Sequence, residues 1–460
     1  MTEQPAPPNR RLFRPPDTLV LLFVLIVAAQ LATYVLPAGE FEREGRQVVP
    51  GSYHAVDAEA LPFYTFLTAI PGGLAAAHEI IFFVFIVGGV VAVVRATGAI
   101  DAVIGSAIRH LGDRPSVLAL GMVTLLALGS STVGMAEEYL PFVPLLVTMC
   151  LALKMDAVVA VGIIYIGAGV GYGCAALNPF TVLIAQDIAG VELASGQGFR
   201  WVLLLVCVVV GVDHIRRYVR RLQADPSSSL VADVDYSRGF QMPDDVTFTR
   251  RRVLVLVAFV AAIVTFVYGV AMWEWYLTEL MAIFLALALV AAILGGLGPD
   301  RVAAEFCRGA AELSKTALLI GFARTIELVL SDGRVIDTVI NALAQPLQAL
   351  PRTVAAVGML GVQSLCNLFV PSGSGQAYVT MPIMAPLADL TDLSRQTAVL
   401  AYQFGDGFTN MIVPTNAVLM GVLALGQIPY QRWLRFIAPL LVKLYIVAIL
   451  ALIVAVQSGY

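Results

Sequence analysis

The sequence predicts an all-α polytopic membrane protein, built from inverted repeats with about nine transmembrane helices and two re-entrant helical hairpins. Three observations carry this. Of 460 residues, 59% are hydrophobic and 13% charged, against about 45–50% apolar and about 25% charged in soluble domains. Apolar runs of roughly 20 residues, long enough to cross a bilayer as helices, recur from end to end. Landmarks of the first half return in the second in the same order. A large soluble enzyme would not carry so many such runs.

In chain order, the crossings fall at about 18–37, 79–96, 157–190, 200–221, 253–272, 277–297, 314–331, 394–424 and 434–457. The first, TLVLLFVLIVAAQLATYVL, is long and lacks a small-x-small cleavage site, so it reads as an uncleaved helix rather than a signal peptide. Regions 115–152 and 351–390 are apolar but interrupted near the middle by Gly, Ser and Pro. Both read as hairpins whose non-helical tips are buried in protein or line a watery cavity. The organisation is then a cytoplasmic segment 1–17, a first repeat 18–222, a cytoplasmic loop with linker helix 223–276, and an inverted second repeat 277–460.

The net charge of −4 says less than where the charges sit. Arg10, Arg11 and Arg14 precede the first run, and Arg216, Arg217, Arg220, Arg221, Arg250, Arg251 and Arg252 bracket the central loop. The positive-inside rule makes both regions cytoplasmic. The first hairpin then opens from the cytoplasm, the second from outside, and the chain ends outside. The five cysteines are scattered through apolar sequence with no CxxC pair, and read as packing residues.

The repeat is visible in the letters. LPFVPLL (140–146) aligns with MPIMAPL (381–387), placing Pro141 on Pro382, 241 positions apart, with Ser131 on Ser372, Gly134 on Gly375, Lys154 on Arg395 and AVVA (157–160) on AVLA (398–401). TGAIDAVI (97–104) matches DGRVIDTVI (332–340) at 236, with Asp101 on Asp337. GYG (171–173) matches GDG (405–407), and Pro179 matches Pro414. Each half thus supplies a hairpin tip and, one element later, a long helix broken by Gly and Pro: GSSTVG and GAGVGYGCAALNPFT, then NLFVPSGSGQ and FGDGFTNMIVPTN.

Glycine lets backbones approach and proline removes a donor, so carbonyls and amides near the bilayer centre are left for a ligand, an ion or water. Ser130, Ser131, Thr132, Asn178, Ser372, Ser374, Asn410, Thr415 and Asn416 are neutral oxygen ligands in these four segments. Such hard oxygens suit Na⁺, with Ser131, Thr132, Asn178, Ser374, Asn410 and Thr415 as its candidate ligands. They serve equally to cap half-helices or bond across the bundle. Intramembrane acids and bases mark function by default. Glu137, Glu138 and Asp406 either bind a proton, balance a cationic substrate or pair with a buried base, and Arg324 is that base. Glu327, at i+3, offers Arg324 a local partner, so an ion pair and recognition of a substrate carboxylate both stand.

Other chemistries fail on residue grounds. GVGYG (169–173) lacks the four symmetric copies of a K⁺ filter. In SGSGQ, Ser372 occupies the place of the first glycine of GxSxG. His54, His78, His110 and His214 fall outside the span centres, leaving an intramembrane nucleophile without a base. No GxxxxGK[ST] run exists. The chain reads as a carrier and not an enzyme, with a channel as the competing class. A carrier saturates and counter-transports; a channel carries current without exchange.

NLFVPSGSGQAYVTMPIMAPLADL, then AVLAYQFGDGFTNMIVPTNAVLM and the PYQRWLRF turn, resemble the YfcC family of membrane carriers. That family sits with the DcuC-like C4-dicarboxylate carriers and ArcD-type basic amino acid antiporters in the ion transporter superfamily. The resemblance covers nearly the whole chain. It implies a homodimer of scaffold and transport domains in the cytoplasmic (inner) membrane, a small-molecule substrate, no cofactor beyond Na⁺ or H⁺ as coupling ion, no nucleic acid, and elevator-like alternating access. Carried over by residue, it places Ser130, Ser131, Thr132, Ser372, Gly373, Ser374, Asn178, Pro179, Asn410, Pro414 and Thr415 around the site. Three acids against one base tilt the substrate toward an amine-bearing solute.

Overall fold

The computed structural model describes residues 18–44, 47–49, 51–102, 115–132, 134–136, 139–178, 180–236, 249–273, 275 and 277–460. Glu137, Glu138 and Pro179 lie outside these. Among the described residues the chain is helical, apart from two short antiparallel ladders, Gly39–Glu40 with His54–Ala55 and Arg43–Glu44 with Gln47–Val48. The helices of the first half are α1 (Thr18–Val35), α2 (Thr65–Ala76), α3 (His78–Ala96), α4 (Pro115–Thr132), α5 (Phe142–Ala152), α6 (Ala157–Gly173), α7 (Val182–Ile188) and α8 (Gln197–Ala224). After α9 (Arg250–Trp273) follow α10 (Leu277–Gly295), α11 (Pro299–Glu312), α12 (Ser314–Asp332), α13 (Ile336–Ala344), α14 (Arg352–Asn367), α15 (Gly373–Leu390), α16 (Arg395–Thr409), α17 (Ala417–Leu425) and α18 (Tyr430–Ser458).

Helices α3, α8, α10 and α18 are long and apolar enough to cross a membrane by themselves. Several of the others are shorter or come in pairs that meet at a break. The two interrupted regions are helix pairs, α4–α5 and α14–α15, and the two long runs near 157–190 and 394–424 are α6–α7 and α16–α17. Among the described residues, three helices fall outside the spans read from the sequence. Thr65–Ala76 carries Pro71 in its interior, and Pro299–Glu312 and Ile336–Ala344 are amphipathic rather than uniformly apolar, so an apolar-run criterion passes over all three. Helix α11 packs on α3 backbone to backbone: a methyl on Gly309 would lie 2.2 Å from the Gly88 carbonyl oxygen, the close approach small residues give helices in membranes.

Helix order and capping repeat between the halves. His78 and Ser314, which open the 19-residue helices α3 and α12, stand 236 positions apart (314 less 78), the offset of the TGAIDAVI match. Further on, the register differs from the sequence alignment. Asp156 caps α6 by accepting from Val159 N (3.0 Å), and Ser394 caps α16 by accepting from Thr397 N (3.0 Å), an offset of 238 (394 less 156). Lys154 and Asp392, both in the left-handed region, share that offset. Pro141, at the start of α5, therefore does not correspond to Pro382, which lies inside α15, and Lys154 corresponds to Asp392 rather than Arg395. An offset of 241 is three residues away, nearly one helical turn, so the apolar pattern cannot tell the registers apart; the caps do.

Almost every residue of α6 and α16 is buried. They are the central pair: α6 is apolar all round, as a helix enclosed by others requires, while α16 carries Gln403 and Asp406 into the interior. Their C-terminal ends touch: a methyl on Gly407 would sit 2.2 Å from Gly173 N and 2.4 Å from Gly173 Cα. The GYG and GDG motifs are thus the contact that sets the two helix breaks back to back.

Candidate functional site

Both breaks and both hairpin tips gather at this crossing, but they use their polar groups differently. At the first tip, Ser130 Oγ donates to Met135 O (2.8 Å) and bonds Tyr139 Oη (2.8 Å). Ser131 Oγ accepts from Ala176 N (3.1 Å), and Asn178 Nδ2 donates to Ser130 O (2.9 Å) while its Oδ1 accepts from Phe180 N (2.8 Å). Thr132 Oγ1 returns to Leu128 O within its own helix (2.7 Å). These groups bolt the tip of α4 to the break after α6, and Ser130, Ser131 and Asn178 are fully buried.

The second half holds a larger network. Asp406 Oδ1 accepts from Asn367 Nδ2 (3.0 Å) and Asn410 Nδ2 (2.8 Å), and Asn410 Oδ1 accepts from Asn416 Nδ2 (2.6 Å). Asn416 Oδ1 takes Tyr165 Oη (3.2 Å) from α6 and caps α17 through Leu419 N (2.8 Å). From Asn367 the chain of bonds runs to Gln376 (3.0 Å), then to Gln363 (2.7 Å) and Thr380 (3.0 Å). Ser372 caps α15 by accepting from Gly375 N (3.3 Å), and Tyr402 Oη donates to Gly373 O (2.6 Å), fixing the tip. Thr415 Oγ1 donates to Leu368 O (3.0 Å).

A cavity of about 330 Å³ opens between these elements. Of the residues singled out in the sequence, Ser372, Gly373, Ser374, Asn410, Thr415, Asn416 and Arg324 line it; Ser130, Ser131, Thr132, Asn178, Pro414 and Asp406 do not. The six candidate Na⁺ ligands divide accordingly, with Ser374, Asn410 and Thr415 on the cavity and Ser131, Thr132 and Asn178 off it. Arg324 ion-pairs with Glu327, and both line the cavity, with side chains 40% and 19% exposed. Arg324 thus has its local partner and is also part of the cavity lining.

Sequence reasoning passed over Glu79, Tyr165, Tyr172 and Thr181, which also line the cavity, and the amides Gln363, Asn367, Gln376 and Gln403 behind it. A signal for the amides existed: Gln363 and Asn367 stand at i and i+4, and Gln403, Asp406 and Asn410 at i, i+3 and i+7, so each set shares one helix face.

The family model for "DcuC: C4-dicarboxylate anaerobic carrier" matches residues 16–457. The Escherichia coli (strain K12) protein named "Putative basic amino acid antiporter YfcC" is 34% identical over 498 residues, covering 98% of each chain. An uncharacterized protein of Haemophilus influenzae is 32% identical over 415 residues, 89% of this chain and 81% of its own. Among solved structures, the Alcanivorax borkumensis YdaH transporter aligns with TM-score 0.44 and 14% identity over 97% of this chain and 99% of that one. Neisseria gonorrhoeae MtrF, described within a class of antimetabolite efflux pumps, aligns with TM-score 0.42 and 16% identity over 97% and 96%.

Proposed function

The chain belongs to the DcuC family of membrane carriers, and on that premise we propose that it exchanges a basic amino acid across the cytoplasmic membrane by alternating access. It is a multi-pass membrane transporter, not an enzyme: its family and named relative are carriers, and it works on a small molecule from within a lipid bilayer.

The observation that carries the choice of substrate is the charge on the cavity wall. Arg324 faces Glu327 and shares the lining with Glu79, so among the described residues one cation meets two carboxylates. A cavity with both signs and an excess of negative charge suits a solute with one carboxylate and two amines. The carboxylate seats on Arg324 as it is shared with Glu327, and the amines face the acids and the carbonyls left free at the helix breaks. The named relative's description as a basic amino acid antiporter points the same way.

The competing substrate, a C4-dicarboxylate, has the family's description in its favour. It needs an excess of cations, which this wall lacks. The back-to-back breaks and paired hairpins support an inverted-repeat, elevator-type movement in a homodimer, with Na⁺ or H⁺ as coupling ion where exchange is not one-for-one.

Proteoliposomes preloaded with unlabelled solute provide the test. Labelled arginine or ornithine should enter by saturable counterflow and dicarboxylates should not compete, with Na⁺ and proton gradients imposed separately. Counterflow of dicarboxylates alone overturns the substrate. Current without exchange overturns the carrier in favour of a channel.

A further inference from the structure

The polar network behind the second hairpin is short of donors. Asn367, Gln403 and Asp406 are fully buried, and each ends in an oxygen with no hydrogen-bond partner: Asn367 Oδ1, Gln403 Oε1 and Asp406 Oδ2. Their nitrogens are committed. Asn367 Nδ2 donates to Asp406 Oδ1 and Gln376 Oε1 (3.0 Å each), and Gln403 Nε2 donates to Tyr172 O (2.5 Å) and Thr181 Oγ1 (3.0 Å). Turning either amide over would set its oxygen against Asp406 Oδ1 and Gln376 Oε1, or against Tyr172 O, so the assignment follows from the partners. The network's orphan donor, Gln363 Nε2, lies beyond Gln376 in the chain of bonds.

The three residues are neighbours. Gln403 and Asp406 are i and i+3 on α16, and Asn367 bonds Asp406 directly. A methyl on Gly373 would lie 3.3 Å from Asp406 Oδ2 and 2.6 Å from Thr181 Cγ2, so Oδ2 points at the hairpin tip, beside the threonine whose hydroxyl takes Gln403. An unpaired buried acceptor costs about 1–3 kcal/mol, more when charged. What would satisfy buried acceptors beside a carboxylate brings positive charge and no acceptor of its own. The single carboxylate fixes that charge at one.

We propose that Asp406, Asn367 and Gln403 form the binding site of a coupling cation, a proton or a bare alkali cation, closed by the tip of the second hairpin. This rests on the carrier reading above. The site stands behind the cavity wall rather than in the cavity, so a cation held there neutralises the ground under the tip before substrate arrives. Among the described residues no charged group pairs with Asp406. The titratable side chains on the helices around it include three tyrosines, Tyr402, committed to Gly373 O, Tyr172 of α6, committed to Gly134 O, and Tyr445 of α18, bonded to Ser364 and Thr409, and the buried thiol of Cys366 on α14. Arg395, on the same helix as Asp406, pairs with Asp389 of α15.

Asp406→Asn mimics the occupied state, because its amide keeps the acceptor facing Asn367 and Asn410 and puts an N–H where Oδ2 stood. Thermal unfolding of the purified full-length protein in detergent tests this, with NaCl against choline chloride at constant ionic strength, and across about pH 5 to 9. The wild-type midpoint should rise with Na⁺ if the ligand is an alkali cation, or with falling pH at constant Na⁺ if it is a proton. The Asp406→Asn midpoint should equal or exceed that of unloaded wild type and respond to neither. Wild type and Asp406→Asn responding alike overturns the site. Should Asp406→Asn fail to fold, Gln403→Glu carries the test: it turns an orphan oxygen into a second carboxylate and should shift the half-saturating concentration of the same cation about tenfold; an unmoved value overturns the site. Counterflow separates this from the carrier reading. Counterflow with cation-insensitive unfolding sinks the site and keeps the carrier; no counterflow, with a cation response lost in Asp406→Asn, sinks the carrier and keeps the site.

Discussion

Replacing Gly407 with alanine tests whether the crossing of α6 and α16 sets the geometry of the cavity. The added methyl would meet Gly173 N at 2.2 Å, Gly173 Cα at 2.4 Å and the Tyr172 carbonyl carbon at 2.8 Å. All three are backbone atoms, so no rotamer relieves the clash. Ordinary contact begins near 3.4 Å, so the helices must part by about 1.2 Å (3.4 less 2.2). Overpacking in a tight core costs about 1–3 kcal/mol, and the rigid neighbours place this change at about 3. The displaced helices also carry Tyr165, Tyr172, Asn410 and the bond between Tyr165 and Asn416. A misplacement of about 1 Å in a binding constellation costs on the order of 100-fold in rate. Gly407→Ala should therefore unfold several degrees below wild type in detergent, and counterflow should fall by about two orders of magnitude. Gly361→Ala is the control: it lies within α14 with nothing inside 4 Å of the new methyl, and should stabilise by about 0.4–1 kcal/mol with transport unchanged. Gly407→Ala with wild-type stability and counterflow would refute the claim that this contact holds the site.

Asp337 ties the loop after α1 to α13, accepting from Phe41 N (3.0 Å) and twice from Arg43 Nη2 (2.8 and 2.7 Å). Since Arg43 is 40% exposed, Asp337→Ala should cost about 2 kcal/mol rather than the full value of a buried pair, seen as a lower midpoint with unchanged transport affinity. Tyr402→Phe removes the hydroxyl that holds Gly373 O, and should cost about 1 kcal/mol and weaken apparent substrate affinity about fivefold in counterflow titrations. Ser131→Ala and Asn416→Ala should divide: the first lowers stability by about 1–3 kcal/mol through the orphaned Ala176 N and leaves apparent affinity alone, while the second lowers affinity at least about tenfold. Equal effects of the two on affinity would contradict the placement of Ser131 outside the cavity.

Much of the architecture was legible because membranes make backbone polarity expensive. Gly, Ser and Pro inside oily runs marked the tips and breaks, and each now bounds a helix, from Thr132 and Phe142 in the first hairpin to Thr409 and Ala417 in the second broken helix. Register was less legible. Helical periodicity repeats almost every three residues, so the letters admitted an offset of 241 where the caps at Asp156 and Ser394 give 238. Helix α11 was missed because PDRVAAEFCRGAAE buries one face only, and its partner Gly88 is invisible without the fold. Within the site, sequence reasoning weighted charges and hydroxyls. It passed over the amides; only the packing of α14, α15 and α16 turns Gln363, Asn367 and Gln376 into a continuous network with Asp406 and sets Gln403 on the same face of α16.

The two halves resemble one another in backbone and differ in where they leave charge. Arg200 and Trp433 each stand fourth in the long helix that follows a break, α8 or α18. Each turns a nitrogen toward a carbonyl of that break: Arg200 Nη1 toward Ala175 O at 3.5 Å, and Trp433 Nε1 to Met411 O at 2.8 Å. The two carbonyls are themselves 236 positions apart (411 less 175), the offset of the paired helices α3 and α12. The same place in the fold thus holds a buried cation in the first half and a neutral donor in the second. A cation suits the C-terminal end of α6, where the helix dipole is negative, and there the tip residues Ser130, Ser131 and Asn178 have spent their polar atoms on the backbone. In the second half the neutral indole closes the break without adding charge, and the acceptors around Asp406 remain unsatisfied. A fixed positive charge on one side and an acid short of donors on the other are the asymmetry on which the proposed cation site in the second half rests, beside the hairpin tip that lines the cavity.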